Sequence, residues 1–159
     1  AHELPLGIRR RRVITLNEGV PGKEISTSIA CMHCEDAPCS LVCPVDCFYI
    51  RADGVVLHDK DICIGCGYCI VACPYDVRYI DKFSHSAQSC NFCIDTNLKD
   101  KKDPACVEAC RYEALVFGDL NDESSHISQL LAVKDSIRLR AELGTKPSLR
   151  YIPKVKAGV

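Results

Sequence analysis

Twelve of the chain's thirteen cysteines fall into three sets of four, and that grouping constrains the fold before any other feature does. The first set is Cys31-x2-Cys34-x4-Cys39-x3-Cys43-Pro44. The second is Cys63-x2-Cys66-x2-Cys69-x3-Cys73-Pro74, and the third is Cys90-x2-Cys93-x12-Cys106-x3-Cys110. An odd total at metal-loop spacing argues against a disulfide framework, which in a small secreted protein shows an even count behind a signal peptide. Ala1–Gly7 offers no apolar stretch of signal-peptide length. No apolar run approaches the roughly 18 residues of a membrane span. A soluble, cytoplasmic protein in a reducing setting is expected.

The second set matches residue for residue the C-x2-C-x2-C-x3-C-P run that binds [4Fe–4S] clusters in bacterial-type ferredoxins. A cubane needs several thiolates from one short loop, on different irons, with backbone amides turned toward its sulfides. In that run the fourth cysteine ligates the other cluster. Applied here, one cluster takes Cys31, Cys34, Cys39 and Cys73, and the second takes Cys63, Cys66, Cys69 and Cys43. The third set has no visible partner, so Cys90, Cys93, Cys106 and Cys110 most simply hold a third [4Fe–4S] cluster among themselves. Zinc is the alternative there, since Cys-x2-Cys pairs are common in zinc ribbons. The first two sets crowd too many thiols together for such a site. Cys47 is left over and reads as a buried thiol beside a cluster. His33 lies between Cys31 and Cys34, with its side chain expected to project away from the cubane.

Apolar residues make up 47% of the chain, but that figure includes the cysteines, and there is no Trp and one Met. The clusters must therefore supply much of the cohesion, and the apo-chain is expected to fold poorly. The formal net charge is −1, and each oxidised [4Fe–4S] core with four thiolates adds roughly −2 per cluster. Some of the 20 Lys and Arg are then needed near the clusters or at docking surfaces. The run Arg9–Arg12 falls in a near-neutral chain without a recognition motif, which excludes nucleic acid as a partner.

Val13–Leu16 reads as a short strand before a Gly19-Val20-Pro21-Gly22 turn. Phe48–Ile50 and Val55–Leu57 flank Asp53-Gly54 and read as a β-hairpin. The Cys-Pro at 43–44 recurs at 73–74, an internal repeat of thirty residues. Cys110-Arg111-Tyr112 echoes the same ending with Arg in place of Pro. Asp95–Asp103 reads as an exposed loop. Residues 127–143 read as a helix, with Ile127, Leu130, Leu131, Ile137 and Ala141 on one face and Gly144 at its end. A tail over 146–159, with Pro147 and Pro153, reads as extended and lies along its own domain or wraps a partner.

The fold class expected is α+β: a duplicated bacterial two-cluster ferredoxin-like core with an added third-cluster region and a C-terminal helix and tail. Its parts are an N-terminal strand and basic segment (1–30), the two-cluster core (31–82), the third-cluster region (83–120) and the helix and tail (121–159). No nucleophile–base pairing, Gly-rich nucleotide loop or open catalytic metal motif is present, so the chain is not expected to be an enzyme by itself.

Cys31–Cys39 (CMHCEDAPC), Cys63–Cys69 (CIGCGYC), Ala72–Tyr75 (ACPY), Pro104–Cys106 (PAC) and Ala114–Leu120 (ALVFGDL) resemble the polyferredoxin subunits of molybdenum and tungsten oxidoreductases. The likeness covers roughly residues 28–152. The group includes electron-transfer subunits of formate dehydrogenases, polysulfide and dimethyl sulfoxide reductases and nitrite-reductase systems. Similar small subunits serve tungsten enzymes of the aldehyde oxidoreductase and benzoyl-CoA reductase kind. The resemblance implies a large molybdenum- or tungsten-pterin catalytic subunit as one partner and a further redox partner, a ferredoxin or flavoprotein subunit. The sequence departs from the pattern in two places. Residues 1–30 lack the extra cysteine set that commonly brings such subunits to four clusters. The string Cys43-Pro44-Val45-Asp46-Cys47-Phe48-Tyr49 also resembles seven-iron ferredoxins, in which the first cluster is [3Fe–4S] and the residue matching Cys34 is free.

Overall fold

Short ribbons and one-turn helices hold the cysteine loops in place, in a computed structural model that describes Leu4 and residues 7–153. Strand β1 (Arg11–Leu16) pairs antiparallel with β2 (Ile25–Ala30), Arg11 opposite Ala30 and Leu16 opposite Ile25. Both are rich in β-branched residues, which suit a pleated ribbon. The expected turn joins them, with the Val20 amide donating to the Asn17 carbonyl (3.1 Å) and the Lys23 amide to the Val20 carbonyl (3.0 Å). The ribbon delivers its buried end, Ile29-Ala30, directly to Cys31.

Helix α1 (Pro38–Leu41) carries Cys39 and leads into the hairpin β3 (Phe48–Ile50) and β4 (Val56–His58). This is the hairpin expected around Asp53-Gly54, and Gly54 takes the left-handed conformation (φ +80°) that closes its turn. Thirty residues after α1 comes α2 (Tyr68–Val71), carrying Cys69, and then the ribbon of β5 (Tyr79–Ile80) and β6 (Ala87–Gln88). A third one-turn helix, α3 (Ala105–Glu108), carries Cys106. Cysteines make up much of the interior: Cys31, Cys34, Cys39, Cys47 and Cys69 are buried with Ile29, Met32, Phe48, Val56, Tyr75, Val77 and Ala87. The described residues form a small mixed helix-and-strand fold.

The expected helix over 127–143 is corrected. Helix α4 runs only from His126 to Val133, capped by the Ser125 hydroxyl, which accepts from the Ser128 amide (3.3 Å). Lys134 is extended (φ −112°, ψ 132°), and Ile137 instead exchanges backbone hydrogen bonds with Tyr151 at 2.8 and 2.9 Å. A pairing with the returning chain thus outcompetes further helical turns, whose propensity alone is weak. Gly144 (φ +68°) ends a separate 3-10 turn, Ala141–Leu143.

The described part of the tail lies against its own chain. The amides of Glu35 and Asp36 donate to the carbonyls of Lys146 (3.2 Å) and Thr145 (3.3 Å), and the Ser148 amide donates to the Met32 carbonyl (2.9 Å). The Ser148 hydroxyl caps the His33 carbonyl at 2.7 Å, and Tyr151 donates its hydroxyl to the Ser28 carbonyl at 2.8 Å. Pro147 is fully buried. Residues 154–159 of the expected tail, and residues 1–3, 5 and 6 of the N-terminal segment, lie outside the described residues. Among the described residues no helix is long and apolar enough to cross a membrane.

Candidate metal centres

Two cavities sit side by side at the joint between α1 and α2. One is walled by Cys31, Cys34, Cys39 and Cys73, with Met32, Val56, Tyr75 and Arg78 around them. The other is walled by Cys43, Cys63, Cys66 and Cys69, with Cys47, Phe48, Gly65 and Ala87. In each, three cysteines come from one loop and the fourth from the loop after the neighbouring helix. Among the described residues, no three His, Cys, Asp or Glu side chains converge tightly enough to grip a single ion. The thiols instead line the two recesses in crossed sets of four.

Their electrostatics suit an inserted cationic core. Burial pushes the Cys34 thiol up to about 11, partly opposed by the Thr145 hydroxyl and reinforced by neighbouring Cys31, Cys39 and Cys73. Burial also raises Cys39 and Cys69, and the Arg78 guanidinium opposes both. Thiols held this high lose their protons to solvent only when a strongly positive group takes the proton's place on sulfur, and iron bound as a cluster would be such a group. The donor set therefore fits.

One local geometry recurs around all three cysteine sets. The third cysteine, at 39, 69 or 106, is the second residue of its helix. The fourth follows two residues beyond the helix and donates its amide back into it: Cys43 to Ser40 (3.2 Å), Cys73 to Ile70 (3.3 Å), Cys110 to Val107 (3.0 Å). Three residues on, Asp46, Asp76 and Glu113 are all left-handed, with φ of 48°, 50° and 50°. Each returns its amide to the carbonyl of the fourth cysteine. This turn aims the next amides at the sulfur: Cys47 N–H reaches Cys43 Sγ at 3.4 Å and Ala114 N–H reaches Cys110 Sγ at 3.3 Å. Inside the opening Cys-x2-Cys of each set, the second intervening residue is also left-handed: His33 (φ 44°), Gly65 (φ 67°) and Phe92 (φ 54°). Only Gly65 announces this in the sequence. A Cβ there would run into the His85 carbonyl, so the position demands glycine twice over.

The third set is more open. Cys90, Cys93, Cys106 and Cys110 are all partly exposed, and Cys90 lies within electrostatic reach of Cys106. Burial pushes Cys90 up to about 11 against the Phe92 amide. The amides of Ala114 and Tyr112 hold Cys110 below the ordinary thiol range. His33 links this region to the first cavity: its ring stacks on Phe92 at 4.0 Å and its Nδ1 accepts the Val56 amide at 3.0 Å. Burial, and then the Arg78 charge, push its pKa down to about 3, so it stays neutral. It is absent from the wall of the first cavity, as expected for a side chain turned away.

Cys47 is buried on the wall of the second cavity, its sulfur 3.4 Å from Cys43 Sγ. Burial, with the sulfurs of Cys43 and Cys63, pushes it up to about 12. It is a thiol within hydrogen-bond distance of the Cys43 sulfur. Sequence reasoning missed Arg78, a buried arginine on the wall of the first cavity. A faint signal existed, since its distance from Cys73 equals that of Phe48 from Cys43.

A family model described as a 4Fe-4S dicluster domain matches residues 24–120. The formate dehydrogenase iron-sulfur subunit of Wolinella succinogenes is 45% identical over 157 residues, covering 86% of this chain and 78% of that protein. A polysulfide reductase polypeptide of the same organism is 45% identical over 130 residues, or 82% of this chain and 68% of its own. A sulfite dehydrogenase subunit of Allochromatium vinosum is 42% identical over 161 residues, covering 96% of this chain and 67% of its own. Two cysteine-walled cavities inside the matched span, together with these relatives, place the chain in the 4Fe-4S dicluster family of iron–sulfur electron-transfer subunits of oxidoreductases.

Proposed function

We propose that the chain relays single electrons through three [4Fe–4S] clusters between a molybdenum- or tungsten-pterin catalytic subunit and an external carrier, a ferredoxin or flavoprotein subunit. Each cluster when bound supplies a one-electron couple, across a possible span of about −700 to +450 mV. Cys31, Cys34, Cys39 and Cys73 hold the first cluster, and Cys43, Cys63, Cys66 and Cys69 the second. Cys90, Cys93, Cys106 and Cys110 hold the third. Residues 31–82 act as a duplicated two-cluster core, and 83–120 as a third unit of the same kind. The four thiols around each of the first two sites support [4Fe–4S] for both, with Cys34 as a ligand.

The crossed composition of the two cavities carries this reading. It is what a shared-ligand pair of cubanes needs, because neither loop can then close around iron without the other. The chain's own residues exclude water with Met32, Val56 and Phe48, and direct amides at the sulfurs. The partner assignment draws on the relatives, each a component of a formate, polysulfide or sulfite enzyme. Anaerobic purification of the native complex tests it. A large pterin-containing subunit in stoichiometric amount is expected, and a lone small iron protein in every fraction would make the chain a free ferredoxin.

A further inference from the structure

Arg78 is only 6% exposed, yet among the described residues it forms no ion pair with a carboxylate. Its Nη1 is buried without a hydrogen-bond partner, and its side chain lines the cavity of Cys31, Cys34, Cys39 and Cys73. A buried, uncompensated guanidinium is strongly penalised by its lost hydration, so something negative must face it in the working protein. The groups in reach that can carry negative charge are the sulfurs of Cys31, Cys39, Cys69 and Cys73, drawn from both cavities.

Its place follows from the repeat. Phe48 is five residues beyond Cys43, and Arg78 is five beyond Cys73. These equivalent residues meet at the joint between the halves, the guanidinium 4.5 Å from the centroid of the Phe48 ring. The ring holds the cation by its face and leaves the guanidinium edge free to donate. One half thus supplies an aromatic platform, and the other supplies the charge.

We propose that Arg78 is the positioning residue that sets the reduction potentials of the two core clusters, donating to a sulfur of the cluster held by Cys31, Cys34, Cys39 and Cys73 and lying in the field of its neighbour. One-electron reduction adds one negative charge to a cluster, and no proton need move because arginine stays charged. A cation and a donated hydrogen bond both favour the more negative state, so Arg78 raises the potential. Its single donor edge in the first cavity makes the two potentials unequal, which gives the pair a preferred resting place for an electron.

The inference rests on the cluster assignment proposed above, and redox titration of the intact protein followed by electron paramagnetic resonance separates the two. The signal removed by Cys73→Ala identifies the first cluster. In Arg78→Gln, poised at the wild-type midpoint of that cluster, the reduced-to-oxidised ratio is expected to fall about tenfold, or ~59 mV for one electron. The second cluster should move the same way by less, and Arg78→Lys should stay within about threefold of wild type. Full iron with an unmoved or raised midpoint in Arg78→Gln overturns the role. If Gln fails to load iron while Lys loads at near-wild-type potential, the requirement for charge is upheld. If both fail to load, Arg78 is a packing element and the role is overturned. Absence of two interacting cluster signals from wild type would instead sink the cluster assignment.

Discussion

The proposed two-cluster core and the third cysteine region share one local module and differ in where it is buried. Both place the third cysteine second in a one-turn helix, the fourth two residues beyond it, and a left-handed residue three further on. In the core, Cys31, Cys34, Cys39 and Cys69 are buried, Cys43, Cys63 and Cys73 are partly exposed and Cys66 is exposed, and the two loops share walls. In the third region every cysteine is partly exposed and the x12 insertion forms a hydrogen-bonded surface loop, with Asn97 tied to the Asp103 carbonyl at 2.9 Å. The module is thus specified locally, while cooperativity comes from interlocking. Solvent exposure also lets the same ligand set serve a different potential.

The largest expected effect of that difference is on stability. Stepwise iron removal by chelator should strip the third region first with little loss of circular dichroism. The core should follow in one cooperative step that unfolds the chain, because its interior is lined by the thiols proposed as ligands. Loss of the core iron ahead of the third, or an apo-chain with native dichroism, would break the comparison.

Single ligand changes sharpen it. Cys73→Ala should cost the cluster of Cys31, Cys34 and Cys39, about four irons of twelve, and weaken the signal of its neighbour. Cys106→Ala should also cost about four irons and leave both core signals intact. Iron analysis with electron paramagnetic resonance reads both.

A smaller effect is expected at Gly65. Gly65→Ala meets both a left-handed backbone and the His85 carbonyl, a strain of about 1–3 kcal/mol before any relaxation. Thermal melting should show the loss, and the cluster of Cys63, Cys66 and Cys69 should be the more labile of the core pair. An unchanged melt would mean that the loop can shift freely, against the interlocked picture. The smallest effect belongs to Cys47→Ser, which should keep iron content unchanged. Its thiol is held neutral and the serine hydroxyl can still donate to Cys43. Iron loss comparable to that of Cys43→Ala would make Cys47 a ligand.

Much of this was legible in the residues. Cysteine spacing and the thirty-residue repeat pointed to the crossed walls, and Asp53-Gly54 to a hairpin, because ligand geometry and turn chemistry are local demands. The helix expected to Leu143 was not legible, since its apolar spacing says nothing of Tyr151 returning to pair with Ile137. Nor were the left-handed His33 and Phe92, whose conformation is imposed by the loop and sustained by their mutual stacking. Arg78 looked like any surface cation until the fold closed the two halves over it.

The central claim is that three equivalent modules hold three cubanes. Combined iron, acid-labile sulfide and zinc analysis of the anaerobically purified chain tests it most directly. About twelve irons and twelve sulfides per chain, without zinc, are expected. About eight irons with one zinc would mean that the third module, for all its likeness to the other two, is not a redox centre.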